Sequence, residues 1–170
     1  EWGFVVSSVV IANVAHTILT RCDSLGVEPT LDYIERNTLR SVEIGRQLSA
    51  TQYVKGIQRM HRLSREMAAF MDDWDVILSP TLVCPPVKTG WLDPNDDPDV
   101  YGSRFSAYWG FTNLYNATGQ PAISLPLHRT AEGLPIGVQF AARYGDEATL
   151  LKLATQLEAG MPWPLTAKVE

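Results

Sequence analysis

Cysteine is scarce in this chain, with only Cys22 and Cys84, and neither sits in a CxxC pair or beside a histidine. That excludes a disulfide framework and a cysteine-based zinc site, and leaves two free thiols in a reducing, cytoplasmic setting as the expectation. Positive charge is also short: the formal net charge is -5. A nucleic-acid partner normally requires clustered excess Lys and Arg, so none is expected. No Gly-x-Ser-x-Gly elbow occurs, which excludes the commonest placement of a serine nucleophile. The glycines of Gly133-Leu134-Pro135-Ile136-Gly137 come without the lysine of a phosphate loop or the spacing of a dinucleotide turn, so no nucleotide is implied. No metal and no other cofactor is expected.

Charge is absent altogether from Trp2 to Thr20. A signal peptide would begin with basic residues, and Glu1 has the opposite sign. A membrane helix needs about 20 predominantly apolar residues, and Ser7, Ser8, Asn13, His16 and Thr17 interrupt this run. The expectation is therefore a core helix with no membrane partner. Neither an initiator Met nor a capping residue precedes Trp2, so the chain reads as beginning inside a longer protein.

What is there is the composition of an ordinary globular domain, 45% apolar and 19% charged. Four segments have helical periodicity. The first is the apolar run ending near Arg21. The second begins at Thr30 as N-cap, with Leu31, Ile34, Thr38 and Val42 on one face. The third opens with a capping box, Ser49 and Gln52, and carries an apolar stripe from Val54 through Ile57, Met60, Leu63, Met67, Phe70 and Met71 to Trp74. The fourth follows Asp146, carries Leu150, Leu151, Leu153, Ala154 and Leu157, and stops at Gly160 before Pro162. Three strands are predicted at Val76–Leu78, Ala122–Leu125 and Ile136–Ala141, the last two as a hairpin across the polar loop from His128 to Leu134. The Asp- and Pro-rich stretch from Trp91 to Arg104 is predicted as surface loop. The pattern is α/β, with few strands for an independent sheet.

The residues that could carry chemistry mostly have simpler explanations. Asp93, Asn95, Asp97 and Asp99 alternate as in a calcium loop, but Pro98 replaces the required glycine and Arg104 the closing glutamate. Asp72, Asp73 and Asp75 lie at a helix-to-strand junction, where fixing the turn is the expected role of Asp73 or Asp75. His16, His61 and His128 each stand without a partner at ligand spacing. Lys55, Arg59, Arg62 and Arg65 form the wet face of an amphipathic helix. Ser79, before Pro80 at a strand end, is well placed for a functional hydroxyl, whereas Ser124 is expected to pack or to bond backbone. These residues alone give no self-contained active site.

The ordered blocks of the second half point further. Phe111-Thr112-Asn113-Leu114-Tyr115-Asn116-Ala117-Thr118-Gly119-Gln120-Pro121-Ala122-Ile123-Ser124-Leu125-Pro126 is followed by Gly133-Leu134-Pro135-Ile136-Gly137-Val138-Gln139. Gly145-Asp146-Glu147-Ala148-Thr149-Leu150-Leu151, Gln156-Leu157-Glu158 and Pro162-Trp163 come next, and Asp75-Val76-Ile77-Leu78-Ser79-Pro80-Thr81 lies upstream. In order and spacing they resemble the C-terminal part of the amidase signature family. The resemblance implies that residues 1–170 are the C-terminal part of a single α/β/α amidase domain around a mixed central sheet. It also implies amide hydrolysis by a serine, a second serine in a cis peptide and a lysine base, with backbone N–H groups holding the oxyanion. All of those groups are expected upstream of Glu1. Lys55, Lys88, Lys152 and Lys168 match none of the family's motifs, so no catalytic residue is assigned in this chain.

What the resemblance leaves here is one wall of a substrate pocket, with Thr112 and Asn116 as its polar contacts. The simpler alternative is that Asn116 and Gly119 only shape a turn. Members acting on glutamine in transfer-RNA amidation carry an acid where this chain has Trp109, beside Tyr108 and Phe111. An aromatic wall suits an apolar amide, and the sequence is most similar to hydrolases of aliphatic or cyclic amides. The expected partners are a small-molecule amide and the N-terminal part of the same enzyme, with a homodimer left open. Two alternatives remain: a subunit like the A subunit of glutamyl-tRNA amidotransferase, and a non-catalytic piece whose apolar N-terminal run docks a partner.

Overall fold

The computed structural model describes residues 2–164, so Glu1 and Lys168 lie outside the described residues. The chain divides into two compact units. The first takes residues up to Leu63 together with Lys88–Ser106, and the second takes Ser64–Val87 and the chain from Ala107 onward.

In the first unit a helical run replaces a single ideal helix: α1 (Trp2–Val5), a π-helical turn (Val6–Val10) and α2 (Ile11–Leu25). By length and mean hydropathy, 1.7, the stretch Gly3–Leu25 is apolar enough to cross a membrane. Within this unit it also makes specific packing contacts. Val5, Ser8, Val9, Ala15 and Cys22 are buried, and α2 packs on α3 (Arg36–Gln47). Gly45 of α3 lies so close to Ala15 that a Cβ there would collide with the Ala15 methyl. The run continues past Arg21 to Gly26, whose left-handed φ of 66° ends it.

The second helix does not begin at Thr30. The Thr30 carbonyl accepts from the N–H groups of Tyr33 and Ile34, making one turn that is not continued. Glu35 is extended, and α3 starts at Arg36. Val42 is fully buried as its periodicity requires, whereas Leu31 is exposed. The capping box is present at the head of α4 (Ala50–Phe70): Ser49 N–H donates to Gln52 Oε1 at 2.8 Å, and Gln52 N–H donates to Ser49 Oγ at 3.2 Å. The apolar stripe that runs along that helix and past its end is incompletely covered: Met71 is fully buried, whereas Val54, Phe70 and Trp74 are all more than half exposed.

The supposed surface loop holds a helix, α5 (Pro98–Tyr108). Asp97 Oδ1 accepts from Asp99 N–H at 3.0 Å, and Pro98 stands at the first helical position, where its missing N–H costs nothing. The Asp–Pro pair read as loop chemistry is thus a helix start. The carboxylates of the loop serve the fold. Asp93 Oδ1 accepts from Asn95 N–H, and Asn37 Nδ2 donates to the carbonyls of Pro94 and Asp96. Arg104, at the position where a calcium loop would carry glutamate, pairs with Asp96 at 2.8 Å and lies over the Trp91 ring.

The second unit is built on a sheet of β1 (Val76–Pro80), β2 (Ala122–Arg129) and β3 (Pro135–Ala142) in the order β1-β3-β2. Both pairings are antiparallel, so among the described residues the sheet is a small antiparallel one; the mixed central sheet that the resemblance implies belongs to the whole domain. β2 and β3 form the predicted hairpin. Its ladder slips between Leu125 and His128, around Pro126, which has no N–H to contribute. One sheet face packs on α7 (Glu147–Gly160), with Leu125, Phe140, Ala142 and Leu150 buried and Trp163 against them. Burying a side chain such as Leu150 stabilises by about 1.5–3 kcal/mol. Asp146 caps α7 by accepting from Thr149 N–H and Oγ1. Asp75 lies 3.5 Å from Arg143, whose Nε donates to the Met71 carbonyl. The Asp75 carboxylate is largely exposed, so this pair contributes little, and the bond from Arg143 to the Met71 carbonyl is what ties the junction.

Candidate functional site

A short helix that sequence periodicity missed, α6 (Thr112–Thr118), sets the site's upper wall. Steps of three and four residues bring Thr112, Tyr115 and Asn116 to one side of it. Gly119 stops the helix with φ 75° and returns the chain to β2 through Gln120 and Pro121. Gln120 is buried and held at both ends: its Nε2 donates to the Ala142 carbonyl at 3.0 Å, and its Oε1 accepts from Thr118 Oγ1 at 3.2 Å.

The sheet supplies the floor. Register places Ser79, Gln139 and Ser124 side by side across β1, β3 and β2, forming one polar row. Gln139 Nε2 donates to Ser79 Oγ at 3.3 Å, and both residues are buried. Ser124 Oγ lies 2.6 Å from Thr81 Oγ1 at the open end of the row. Between helix and sheet is a cavity of ≈ 360 Å³ lined by Thr112, Tyr115, Asn116, Gln120, Ser124 and Gln139, with Thr81, Ala122 and Ile123. Burial of Tyr115 raises its phenol above the ordinary value, so it stays neutral at physiological pH. Every lining side chain is uncharged there. Such a surface can hydrogen-bond a neutral amide on both its carbonyl and its N–H side. It offers no acid or base poised near neutrality for proton transfer.

Thr112 and Asn116 therefore share one cavity. Trp109 is not among its lining residues, but its indole Nε1 donates to Thr112 Oγ1 at 2.8 Å. Asn116 lies within α6, while Gly119 alone makes the turn. Ser79 is committed to Gln139, and Ser124 bonds a side-chain hydroxyl rather than backbone. Sequence reasoning missed Thr81, Tyr115, Gln120 and Gln139 as lining residues. Only the alternation of β3 hinted at Gln139, which shares a strand face with Gly137 and Ala141. His16, His61 and His128 are exposed. Cys22 and Cys84 are both free, and no metal-binding cluster of His, Cys, Asp or Glu occurs among the described residues.

The fold and these blocks define a class. The sequence profile of the Amidase family matches residues 13–151, and the chain belongs to that family. Within it, the chain is 41% identical over 133 residues to "Putative amidase AmiC" of Mycobacterium leprae (strain TN), covering 76% of this chain and 28% of that protein. It is 29% identical over 157 residues to 6-aminohexanoate-cyclic-dimer hydrolase of Paenarthrobacter ureafaciens, covering 88% of this chain and 32% of the relative. A solved structure of 6-aminohexanoate cyclic dimer hydrolase superposes with a TM-score of 0.86 and 28% identity, over 96% of this chain and 35% of the other. The A subunit of glutamyl-tRNA(Gln) amidotransferase from Thermotoga maritima superposes less well, with a TM-score of 0.56 at 25% identity over 94% of this chain. The matched region thus spans 28–35% of the length of the amidase and the cyclic-dimer hydrolase named above.

Proposed function

We propose that this chain is the substrate-side part of a cytoplasmic, serine-dependent amidase that hydrolyses a small, apolar carboxamide to acid and amine. The reading is carried by the uncharged hydrogen-bonding cavity between α6 and the sheet, lined by Thr112 and Asn116. In this reading the serine nucleophile, the cis-peptide serine and the lysine base come from sequence upstream of Glu1. The wall described here orients the acyl side of the substrate. Held between fixed donors and acceptors, the amide meets the nucleophile without a further loss of freedom. A glutamine-like substrate fits less well, because none of the lining residues is a carboxylate that could pair with its ammonium.

The test is hydrolysis of hexanamide and of glutamine by the polypeptide that includes the upstream sequence, beside this chain alone. We expect the longer polypeptide to prefer hexanamide and the 170-residue chain to be inactive. Turnover by the pure chain, or a preference of the longer polypeptide for glutamine, would overturn the reading.

A further inference from the structure

The Thr81–Ser124 hydroxyl pair belongs to two cavities at once. On one side lies the polar cavity under α6. On the other is a second cavity of ≈ 410 Å³, lined chiefly by apolar groups: Val83, Pro85, Pro86 and Ile136, with the Cys84 thiol among them. The pair's place on the sheet depends on Gly137. A Cβ at that position would stand 2.6 Å from Ser124 Oγ and 2.7 Å from Thr81 Oγ1, closer than real Cβ contacts come. The backbone binds there too, since Thr81 N–H donates to the Gly137 carbonyl at 3.0 Å. The proline-rich loop is held from its other side by Val83 N–H donating to the Tyr108 carbonyl at 3.4 Å. A side chain added at Gly110 would collide with Val83. Polar cavity, hydroxyl divider and apolar cavity therefore follow one another along one side of the second unit.

We propose that this is a two-compartment cleft for a linear aliphatic carboxamide. The carboxamide group lies in the compartment under α6, and the alkyl chain passes the Thr81–Ser124 pair into the compartment of the proline-rich loop. The two hydroxyls are specificity-determining positions. They satisfy each other when the cleft is empty, and either can turn to the amide when it is filled. An alkyl chain gains little until it is long enough to pass them. Beyond that point each added methylene is removed from water. This inference rests on the amide reading for the identity of the polar group.

Cys84 provides a readout independent of turnover. In the full chain carrying Cys22→Ala, alkylation of the Cys84 thiol by iodoacetamide is followed in the presence of acetamide, butanamide, hexanamide or octanamide. Circular dichroism verifies that the variant is folded. Acetamide should leave the rate unchanged, and the longer amides should slow it, with half-protection falling about two- to fourfold per added methylene past the divider. Octanol should protect less well than octanamide, since it lacks the group that the polar compartment recognises. Protection independent of chain length, or octanol matching octanamide, would overturn the proposal. A Ser124→Ala chain, in which Thr81 loses its partner, should begin to show protection at a different chain length, and an unchanged profile counts against the divider. Length-dependent protection by amides supports the cleft even if the longer polypeptide hydrolyses none of them, and that result would sink only the amidase reading.

Discussion

The indole N–H of Trp109 donates to the hydroxyl of Thr112 across 2.8 Å, joining two residues that sequence reasoning had nominated separately. The bond occupies one lone pair of the hydroxyl and leaves its proton free to turn toward a carbonyl in the cavity. Trp109 thus touches the cavity lining only through Thr112.

Replacing Trp109 with Phe keeps an aromatic ring and removes the donor. In the longer polypeptide we expect kcat/KM for hexanamide to fall by about 2–10-fold, the worth of one hydrogen bond of about 0.5–1.5 kcal/mol. Thr112→Val should cause a loss at least as large, and the double variant should add little to it. Fully additive losses would show that Trp109 acts by another route.

Tyr115 supplies a pH dependence with a definite sign. Burial raises its pKa in the folded chain above the ordinary 10.0. Its contribution to stability is therefore fully present below about pH 10, where the unfolded phenol titrates. As pH rises the unfolded state loses its proton first, and the contribution declines until the folded phenol also ionises. Urea unfolding between about pH 8 and 11 should show a steeper alkaline loss for the native chain than for Tyr115→Phe. Parallel curves would mean that the phenol is solvated.

Gly119 is a third test, because its φ of 75° puts it in the left-handed region. Gly119→Ala should cost about 1–2 kcal/mol from backbone strain. The new Cβ would also meet Tyr144 at 3.2 Å, a ring exposed enough to give way. Gly119→Asn should cost less, since Asn tolerates this conformation better. The urea midpoint measures both, and equal loss in the two variants would point to crowding instead of strain.

Much of this chain could be read from local chemistry. The Ser49–Gln52 capping box, the Asp146 cap, the β2–β3 hairpin and the burial of Val42 each depend on residues close in sequence or on simple periodicity. The ordered blocks likewise carry the family on their own, because their residues and spacing are local in the chain. Where local signals competed, they misled. Thr30 resembled an N-cap but makes only one turn, and Asp97-Pro98 resembled a loop but opens a helix. Helix α6 was overlooked because seven residues are too few to display a period.

By itself the sequence determined the family and the helix starts with strong caps, and it nominated Thr112 and Asn116, which the fold brings to one cavity. Only the tertiary structure decided that Ser79, Gln139 and Ser124 form one row, and that Thr81 meets Ser124 at its end. The reason is physical. Strand alternation says which residues share a face within a strand, but register and strand order say which strands stand side by side, and both are set by packing between residues distant in the chain.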